Sequence, residues 1–232
     1  MTGTPLMAVR NLTGGYDDVT VIRNVSLDVH PGQAVFVTGR NGVGKSTLVK
    51  LIAAQLQATD GTITFNGRDI TEEPGHSRRS VGIGYAPQES VVFDTLTIFE
   101  NLTLHYRDRD LTRYDNLFSL FPRIGERLAQ LAGTLSGGEK KIMSFCRAIA
   151  EETRLVILDE PSEGVQPENI DRMGKSILKE TACGRSFLIV EQNMTLVEQV
   201  ADQVHLLDHG ECVFETGRVP DLRKIVSERL QI

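Results

Sequence analysis

Short apolar runs without polar alternation recur along the chain, and each predicts a strand that is buried on both faces of a sheet. They cover residues 34–37, 81–86, 155–158 and 186–190. Helical patterns follow two of these runs, at residues 48–52 and 167–178. Strands that alternate with helices are typical of a mainly parallel sheet covered on both faces. We therefore expect the α/β fold class.

The two ends of the chain are patterned differently from its centre. Residues 7–12, 25–29 and 62–65 predict short strands, the last of which ends at the hairpin-type turn Asn66-Gly67. Residues 68–80 are polar and predict a surface connection. Near the C-terminus we expect a helix at 196–201, strands at 204–207 and 212–214, and a short helix within 218–232.

The middle of the chain, residues 95–152, changes to a helical period and interrupts the strand-rich pattern. Two stretches have the spacing of a capping box, in which a Ser or Thr side chain and a Glu three residues later satisfy each other's backbone N–H groups. These are Thr97 with Glu100, and Ser136 with Glu139. Helices are therefore predicted to start at both places, and residues 128–131 are expected to be helical as well.

A glycine-rich loop lies between the strand at 34–37 and the helical pattern at 48–52. The loop and the start of the helix contain, in order, Gly39, Arg40, Asn41, Gly42, Val43, Gly44, Lys45, Ser46 and Thr47. The glycines let successive N–H groups point inward, and the helix adds its positive N-terminal end, so the loop predicts a polyphosphate site. We expect Lys45 to reach the outer phosphates and the Ser46 hydroxyl to bind Mg²⁺. The alternative is an ordinary turn that carries a lysine, which the strand-loop-helix context disfavours.

Two adjacent carboxylates, Asp159 and Glu160, follow the buried strand at 155–158. Such a pair at the end of a buried strand is costly unless a cation compensates it. A Mg²⁺ ion beside the phosphate loop would do so, with Asp159 as a ligand of the metal or of its water and Glu160 placed to polarise an attacking water. A solvated strand end is the alternative.

Composition limits the classes of partner. The 232 residues include 25 basic and 31 acidic side chains, for a net charge of -6, which argues against nucleic acid as a partner. Cys146, Cys183 and Cys212 have no C-x-x-C spacing, so we expect buried thiols in a reducing cytosol. The five histidines have no ligand spacing and are expected in turns or on the surface.

No run approaches the roughly 20 apolar residues that cross a bilayer, and the start of the chain does not look like a signal peptide. We therefore expect a cytoplasmic protein that reaches a membrane only through a partner.

Taken together, these motifs resemble the ATP-binding cassette (ABC) ATPases, over about residues 7–217. The resemblance depends on the phosphate loop, the helical block, Asp159-Glu160 and one further motif, Leu135-Ser136-Gly137-Gly138-Glu139. It implies a single domain over 1–232 with an N-terminal antiparallel β segment. A P-loop NTPase core would comprise 1–88 and 155–232, and an α-helical subdomain would be inserted at 89–154.

The resemblance also assigns roles by position. Tyr16 corresponds to the aromatic residue that stacks on adenine, Gln88 to a glutamine that touches Mg²⁺ and water, and Gln192 to the switch residue near the γ-phosphate. The signature motif, 135–139, closes over the ATP of another subunit in this family. A head-to-tail homodimer, or a heterodimer with a second ABC ATPase, is therefore implied. A second helix start with free N–H donors, in a chain that already has a phosphate loop, supports a role in trans.

Three features depart from the pattern that many family members share. Gln192 stands where many have His, residues 161–167 read Pro-Ser-Glu-Gly-Val-Gln-Pro instead of continuing with Ser-Ala-Leu-Asp, and Lys140-Lys141 follows the signature. The first two are similar to importers of branched-chain or other hydrophobic amino acids, or of urea and short amides. The two lysines are expected to be a solvated helix face.

By this resemblance, the chain is the ATP-hydrolysing subunit of an importer at the cytoplasmic face of the cell membrane. It implies transmembrane permease subunits, contacted through residues 89–102, and an extracytoplasmic solute-binding protein. The alternatives are an exporter subunit, a non-transport ABC ATPase, and a nucleotide-binding module without turnover. The third is disfavoured by the presence of Lys45, Asp159 and Glu160.

Overall fold

The computed structural model describes residues 3–89 and 92–230. The predicted domain also includes residues 1–2 and 231–232, and the predicted permease-contacting segment includes Ser90 and Val91. These six residues lie outside the described part of the chain. None of the helices within that part combines the length and apolar character that crossing a bilayer requires.

Two β-sheets organise the molecule. The strands, in chain order, are β1 (Met7–Tyr16), β2 (Val19–Val29), β3 (Ala34–Thr38), β4 (Ala58–Phe65), β5 (Arg68–Asp69), β6 (Ile83–Ala86), β7 (Leu155–Asp159), β8 (Ser186–Val190), β9 (Gln203–Asp208) and β10 (Glu211–Gly217). The first sheet has the order β2-β1-β4-β5 and is antiparallel. The second has the order β10-β9-β3-β8-β7-β6, and only β10 runs antiparallel to its neighbour. The expected mainly parallel sheet and N-terminal antiparallel segment are confirmed.

The helices cover the larger sheet. They are α1 (Lys45–Ile52), α2 (Gly75–Val81), α3 (Ile98–Thr103), α4 (Asp115–Leu120), α5 (Pro122–Gly125), α6 (Gly137–Ala150), α7 (Pro167–Ala182), α8 (Met194–Val200) and α9 (Leu222–Leu230), with short 3-10 turns at Thr112–Tyr114 and Ala132–Thr134. Strand β3 shows why the apolar runs do not alternate. Phe36 packs into one core with Phe145, whereas its neighbour Val37 packs into a second core with Leu48. Successive residues of a strand point to opposite faces, so a strand between two cores is apolar at every position.

The N-terminal hairpin is longer than the pattern predicted. Strands β1 and β2 have 10 and 11 residues, and Gly14, Gly15 and Tyr16 belong to β1 and not to a loop. A side chain at Gly15 would place a Cβ atom 2.0 Å from the Val19 carbonyl oxygen. Glycine therefore permits the close approach of the two strands at the end of the hairpin that carries Tyr16.

The segment 68–80 lies mostly at the surface, as expected, but it is not only a connection. It contains β5 and α2, and Arg78 on α2 is buried, with its Nε donating to the Ile52 carbonyl at 3.0 Å and its Nη1 to the Ile70 carbonyl at 2.6 Å. Burial lowers the pKa of Arg78, and the hydrogen bonds to these carbonyl oxygens stabilise its charged form. Arg78, together with the buried Ile70, therefore anchors this mostly exposed segment to the core.

The central helical block begins as predicted. Both capping boxes are present, at Thr97 with Glu100 and at Ser136 with Glu139, so α3 and α6 start where the sequence indicated. Residues 128–131 are turns instead of a helix, and Leu131 pairs with Thr97 in an isolated antiparallel bridge. The division of the chain into a core and an inserted subdomain stays a proposal.

Two expectations about single residue types are wrong. Cys146 is buried as expected, but Cys183 at the end of α7 is exposed. His205 was expected in a turn or on the surface and is buried in β9, where burial lowers the pKa of its imidazole.

Candidate active site

Loops at the carboxyl ends of three parallel strands, together with the N-terminal hairpin, line one cleft of about 420 Å³, and the segment after a fourth strand contacts it through Gln192. Strand β3 leads into the glycine-rich loop, β6 into Gln88, β7 into Glu160 and β8 into Gln192. The cleft is lined by Tyr16, Val21, Asn41, Gly42, Gly44, Lys45, Ser46, Thr47, Gln88 and Glu160. Sequence reasoning missed Val21, because only the fold brings β2 to the loop. Ligands bind at this edge in α/β sheets.

The glycine-rich loop has the conformation that its glycines permit. Gly39, Gly42 and Gly44 have φ values of 154°, 79° and 107°. A Cβ atom at Gly39 would lie 2.3 Å from the Leu207 carbonyl oxygen, so this position has no room for a side chain. Val43 packs against the core under the loop, while Arg40 is exposed. The loop residues therefore divide into those that shape the backbone and those that line the cleft.

Lys45 is buried at the start of α1 and has three partners. Its Nζ donates to the carbonyl oxygens of Gly39 at 3.1 Å and Arg40 at 2.9 Å, and lies 3.6 Å from Glu160 Oε1. Burial lowers the pKa of Lys45, while the nearby Glu160 carboxylate opposes this shift. The ammonium group is thus held at the centre of the loop, where an incoming phosphate can replace its present partners.

Ser46 and Asp159 form the part of the site that fits a cation. The Ser46 hydroxyl donates to Asp159 Oδ1 at 2.9 Å, and burial raises the pKa of Asp159. Asp159 Oδ2 is also buried and has no hydrogen-bond partner among the described residues. The same residues contain no group of three or more His, Cys, Asp or Glu side chains arranged to hold a metal. Mg²⁺ needs no such group, because one or two protein oxygens, phosphates and water complete its shell.

Glu160 is the centre of a converging hydrogen-bond network. Its backbone has a φ of 47°, a left-handed conformation that is uncommon outside glycine. Its Oε2 accepts from Gln88 Nε2 at 2.8 Å, and its Oε1 accepts from Gln192 Nε2 at 3.0 Å. Gln192 Nε2 also donates to Asn41 Oδ1 in the loop. The structure therefore brings together the residues predicted from four separate segments.

Glu191 organises the backbone around this network and was not selected from the sequence. It is buried, and its carboxylate accepts from the backbone N–H groups of Ser162 at 2.8 Å, Gln192 at 2.8 Å and Asn193 at 2.9 Å. These contacts tie the turn after β7 to the segment after β8. Glu191 directly follows a buried strand, as Glu160 does, and this position could have identified it from the sequence.

Tyr16 lies at the rim of the cleft. The residue is 41% exposed, and Lys50 Nζ donates to its hydroxyl at 3.4 Å. An exposed aromatic ring beside a phosphate loop can stack on a base. The stacking of Tyr16 on adenine stays a prediction.

The motif at 135–139 does not line this cleft. Ser136 Oγ accepts from the Glu139 N–H at 3.3 Å, the Glu139 carboxylate accepts from the Ser136 N–H at 3.0 Å, and Leu135 is buried. Ser136, Gly137, Gly138 and Glu139 line a separate groove of about 1030 Å³. Gly137 has open space around it, while a Cβ atom at Gly138 would lie 2.6 Å from the Gly164 carbonyl oxygen. The start of α6 therefore packs closely on the turn after β7 and presents its other side to the groove.

The expectation that Lys140 and Lys141 form a solvated helix face is wrong for Lys141. Its side chain is only 13% exposed, and its Nζ lies 3.5 Å from Glu163 Oε2 and donates to the Glu160 carbonyl oxygen at 3.2 Å. Lys140 pairs instead with Asp94 at 2.7 Å.

Comparison with known proteins agrees with this arrangement. Residues 22–163 match the protein family described as ABC transporter. The chain belongs to the ABC transporter ATPase family. It is an ATP hydrolase that binds nucleotide, as the family match and the fold together show.

Relatives of this ABC ATPase include proteins of branched-chain amino acid transport and of lipopolysaccharide export. The chain is 34% identical to the high-affinity branched-chain amino acid transport ATP-binding protein BraG of Pseudomonas aeruginosa, over 87% of this chain and 89% of that protein. It is 32% identical to the probable branched-chain amino acid transport ATP-binding protein LivF of Archaeoglobus fulgidus, over 88% of each. The lipopolysaccharide export system ATP-binding protein LptB of Haemophilus influenzae is 32% identical, over 90% of this chain and 89% of that protein.

The fold of the ABC ATPase matches a solved structure over nearly its whole length. The structure of an ATP binding subunit of an ABC transporter superposes with a TM-score of 0.85 at 26% identity, covering 98% of this chain and 100% of that one.

Proposed function

We propose that this ABC ATPase powers the uptake of a small solute through separate transmembrane permease subunits. The solute class is branched-chain or other hydrophobic amino acids, or urea and short amides. The observation that carries the ATPase part is the convergence of Lys45, Asp159, Glu160, Gln88 and Gln192 on one cleft. The similarity to BraG and LivF, together with residues 161–167, supports the importer part.

In this proposal the triphosphate lies along the glycine-rich loop, whose backbone N–H groups and helix start bind anions. Lys45 exchanges its contact with Glu160 for an outer phosphate oxygen, and Tyr16 stacks on adenine. The Ser46 hydroxyl and the Asp159 carboxylate would hold Mg²⁺, with Gln88 near it. When bound, Mg²⁺ neutralises charge on the phosphates and helps to align them for in-line attack.

Glu160 is the proposed general base. A carboxylate that accepts one amide N–H on each oxygen has a fixed orientation, and Gln88 and Gln192 supply these donors. In the ATP-bound state we assign Glu160 to orient the attacking water and take its proton. Gln192 can then turn its amide toward the γ-phosphate, to which it can donate but to which it cannot add charge.

A second subunit completes the site in this proposal. The signature residues Ser136, Gly137 and Gly138 line a groove separate from the cleft of their own chain, and α6 offers its N-terminal N–H groups. These groups can bind the phosphates held by another copy, or by a related ABC ATPase. ATP then joins the two subunits at the cytoplasmic face of the membrane, and hydrolysis separates them. The proposed partners also include an extracytoplasmic solute-binding protein.

Transport direction is tested in cells that lack this gene and are complemented with the wild type or with Glu160→Gln. We expect loss of uptake of one labelled solute among leucine, valine, urea and acetamide, with recovery only from the wild type. The similarity to LptB makes an exporter the second candidate. Normal uptake of all four solutes, with envelope lipid retained inside the deletion strain, would favour that candidate. Recovery by Glu160→Gln would instead contradict a requirement for hydrolysis.

The glutamine at the switch position predicts a difference in pH dependence. Gln192 does not titrate, whereas an imidazole in its place has an ordinary pKa of about 6.5. We expect Gln192→His to give the ATPase rate an additional inflection near neutral pH, which the wild type lacks. Gln192→Ala should lower kcat by roughly tenfold or more, because one hydrogen bond to the charged phosphoryl group is lost. The ATPase rates of the three proteins are measured from pH 5.5 to 8.5, about one unit below to two units above that pKa. Identical profiles would show that the proposed contact of Gln192 with the phosphoryl group is wrong.

A further inference from the structure

The structure places two departures from the common family pattern against each other. Lys141 follows the signature motif on α6, and Glu163 belongs to the unusual turn after β7. Lys141 Nζ lies 3.5 Å from Glu163 Oε2. The two side chains carry opposite charges and therefore form an ion pair, although they are far apart in the sequence. Neither residue has a role in the proposed function described above.

Lys141 also contacts the residue proposed as the general base. Its Nζ donates to the main-chain carbonyl oxygen of Glu160 at 3.2 Å. On the other side of the same residue, the Glu160 N–H donates to the Val190 carbonyl at 2.9 Å. A left-handed conformation at a non-glycine residue persists only when its surroundings hold it there. Lys141 is therefore one of the groups that fix the backbone of Glu160, and with it the direction of the carboxylate.

Glu163 links the lysine to the glutamine after β6. Its Oε2 accepts from Gln88 Nε2 at 3.1 Å, and the same Nε2 donates to Glu160 Oε2 at 2.8 Å. The four residues Lys141, Glu163, Gln88 and Glu160 thus form a closed network. It joins α6 to the turn after β7 and to the segment after β6, so movement of one of these elements strains the contacts of the others.

The start of α6 cannot move independently of this turn. Gly138 approaches Gly164 so closely that no side chain fits between them, and Lys141 lies just over one helical turn after Ser136. A displacement of the signature motif is therefore transmitted to the Glu160 carbonyl through a few closely packed residues.

We infer that Lys141, held by Glu163, is a positioning residue that couples the signature motif to the orientation of Glu160 in the same subunit. The inference rests on the proposed role of Glu160. When the signature engages the nucleotide of another subunit, α6 shifts, and Lys141 passes that shift to the general base of its own cleft. Occupancy of one nucleotide site thereby affects the chemistry of the other.

The test measures kcat, KM, fluorescent nucleotide affinity and the unfolding midpoint of the full-length protein. Lys141→Met removes the donor at similar length and should lower kcat roughly tenfold, which corresponds to about 1.4 kcal/mol. Nucleotide affinity of the single subunit should stay within about twofold, because Lys141 lines the signature groove and not the cleft of its own chain. Lys141→Arg should recover most of the rate, since it keeps a donor and the charge. Lys140→Met is the matched control, because Lys140 pairs with Asp94 and should leave kcat unchanged.

A double-mutant cycle tests whether the pair acts as one unit. Glu163→Gln alone should lower kcat about threefold, and adding it to Lys141→Met should cause no further loss, because interacting residues are not additive. If the losses of the two single variants multiply in the double variant, the inference is overturned. So would a wild-type kcat in Lys141→Met, an equal loss in Lys140→Met, or a loss explained by weaker nucleotide affinity.

Two further measurements distinguish a structural role of Lys141, a wrong assignment of the general base and a wrong coupling. If Lys141→Met lowers the unfolding midpoint, Lys141→Gln is measured instead. A falling midpoint in both variants, parallel to the falling rate, would show a structural role and overturn the inference. Glu160→Gln is measured alongside: if it keeps turnover, the proposed general base is wrong. If it is inactive while the Lys141 variants match the wild type, only the coupling is wrong.

Discussion

Glu160→Gln is expected to lower the kcat of ATP hydrolysis by roughly 10²- to 10⁴-fold, the range of a lost general base. The substituted amide has nearly the same shape, but it cannot accept a proton. It also replaces one carboxylate oxygen with an NH₂ group, which faces a donor from Gln88 or Gln192. The orientation of the side chain is therefore disturbed together with its basicity.

ATP binding should survive this substitution, because the glycine-rich loop, Lys45 and Ser46 are unchanged. We expect MgATP to shift the variant from monomer to a stable dimer, measured by size-exclusion chromatography with light scattering. Glu211→Gln is the matched control, since Glu211 is exposed at the start of β10 and should leave turnover unchanged. A Glu160→Gln protein that stays monomeric with ATP and hydrolyses it at the wild-type rate would contradict both the role and the dimer.

Lys45→Met is expected to weaken ATP binding by roughly 10- to 100-fold, the equivalent of one or two charge-assisted hydrogen bonds. Methionine matches the length of the buried side chain and removes only its charge and donors. The loss should be larger for ATP and ADP than for AMP, because Lys45 is assigned to the outer phosphates. Titration of the three nucleotides by calorimetry measures this difference.

The control for this substitution is Lys175→Met. Lys175 lies on α7 with 63% of its side chain exposed and pairs with Asp171 one helical turn away, so its removal should leave all three affinities unchanged. An equal loss for ATP and AMP would show that Lys45→Met distorts the whole loop, and unchanged ATP affinity would refute the assigned contact.

The contacts of Lys45 suggest an order of events in the cleft. An ammonium group has three donors, and those of Lys45 face the Gly39 carbonyl, the Arg40 carbonyl and Glu160. A phosphate oxygen therefore gains this lysine only by displacing one of them. Glu160 is the most distant at 3.6 Å, and its release leaves the carboxylate to Gln88, Gln192 and water. In the proposed mechanism, nucleotide binding therefore frees Glu160 in the same step that engages Lys45.

Local sequence was sufficient for elements whose stability depends on neighbouring residues. The capping boxes at Thr97 and Ser136 satisfy backbone groups within one helical turn, so α3 and α6 begin where the pattern indicated. The same holds for the glycine-rich loop. Element ends were less well predicted, as in the hairpin that carries Tyr16, because pairing between β1 and β2 extends beyond the apolar run.

Polar residues were predicted less well than apolar ones. Arg78, His205 and Lys141 were all assigned to exposed segments, and each is buried or nearly so in the folded protein. A charged residue carries no local signal of such burial, because its partner can lie anywhere in the sequence.

The sequence by itself determined the α/β class, the phosphate loop and the carboxylates that end β7. Each depends on residue order within a few positions, and steric and hydrogen-bonding rules act over that range. Only the tertiary structure decided that Gln88 and Gln192 reach the same carboxylate, that Glu191 ties two turns together, and that Lys141 supports the backbone of Glu160. Parallel strands bring remote loops to one edge, so these contacts depend on how the chain packs and not on local order.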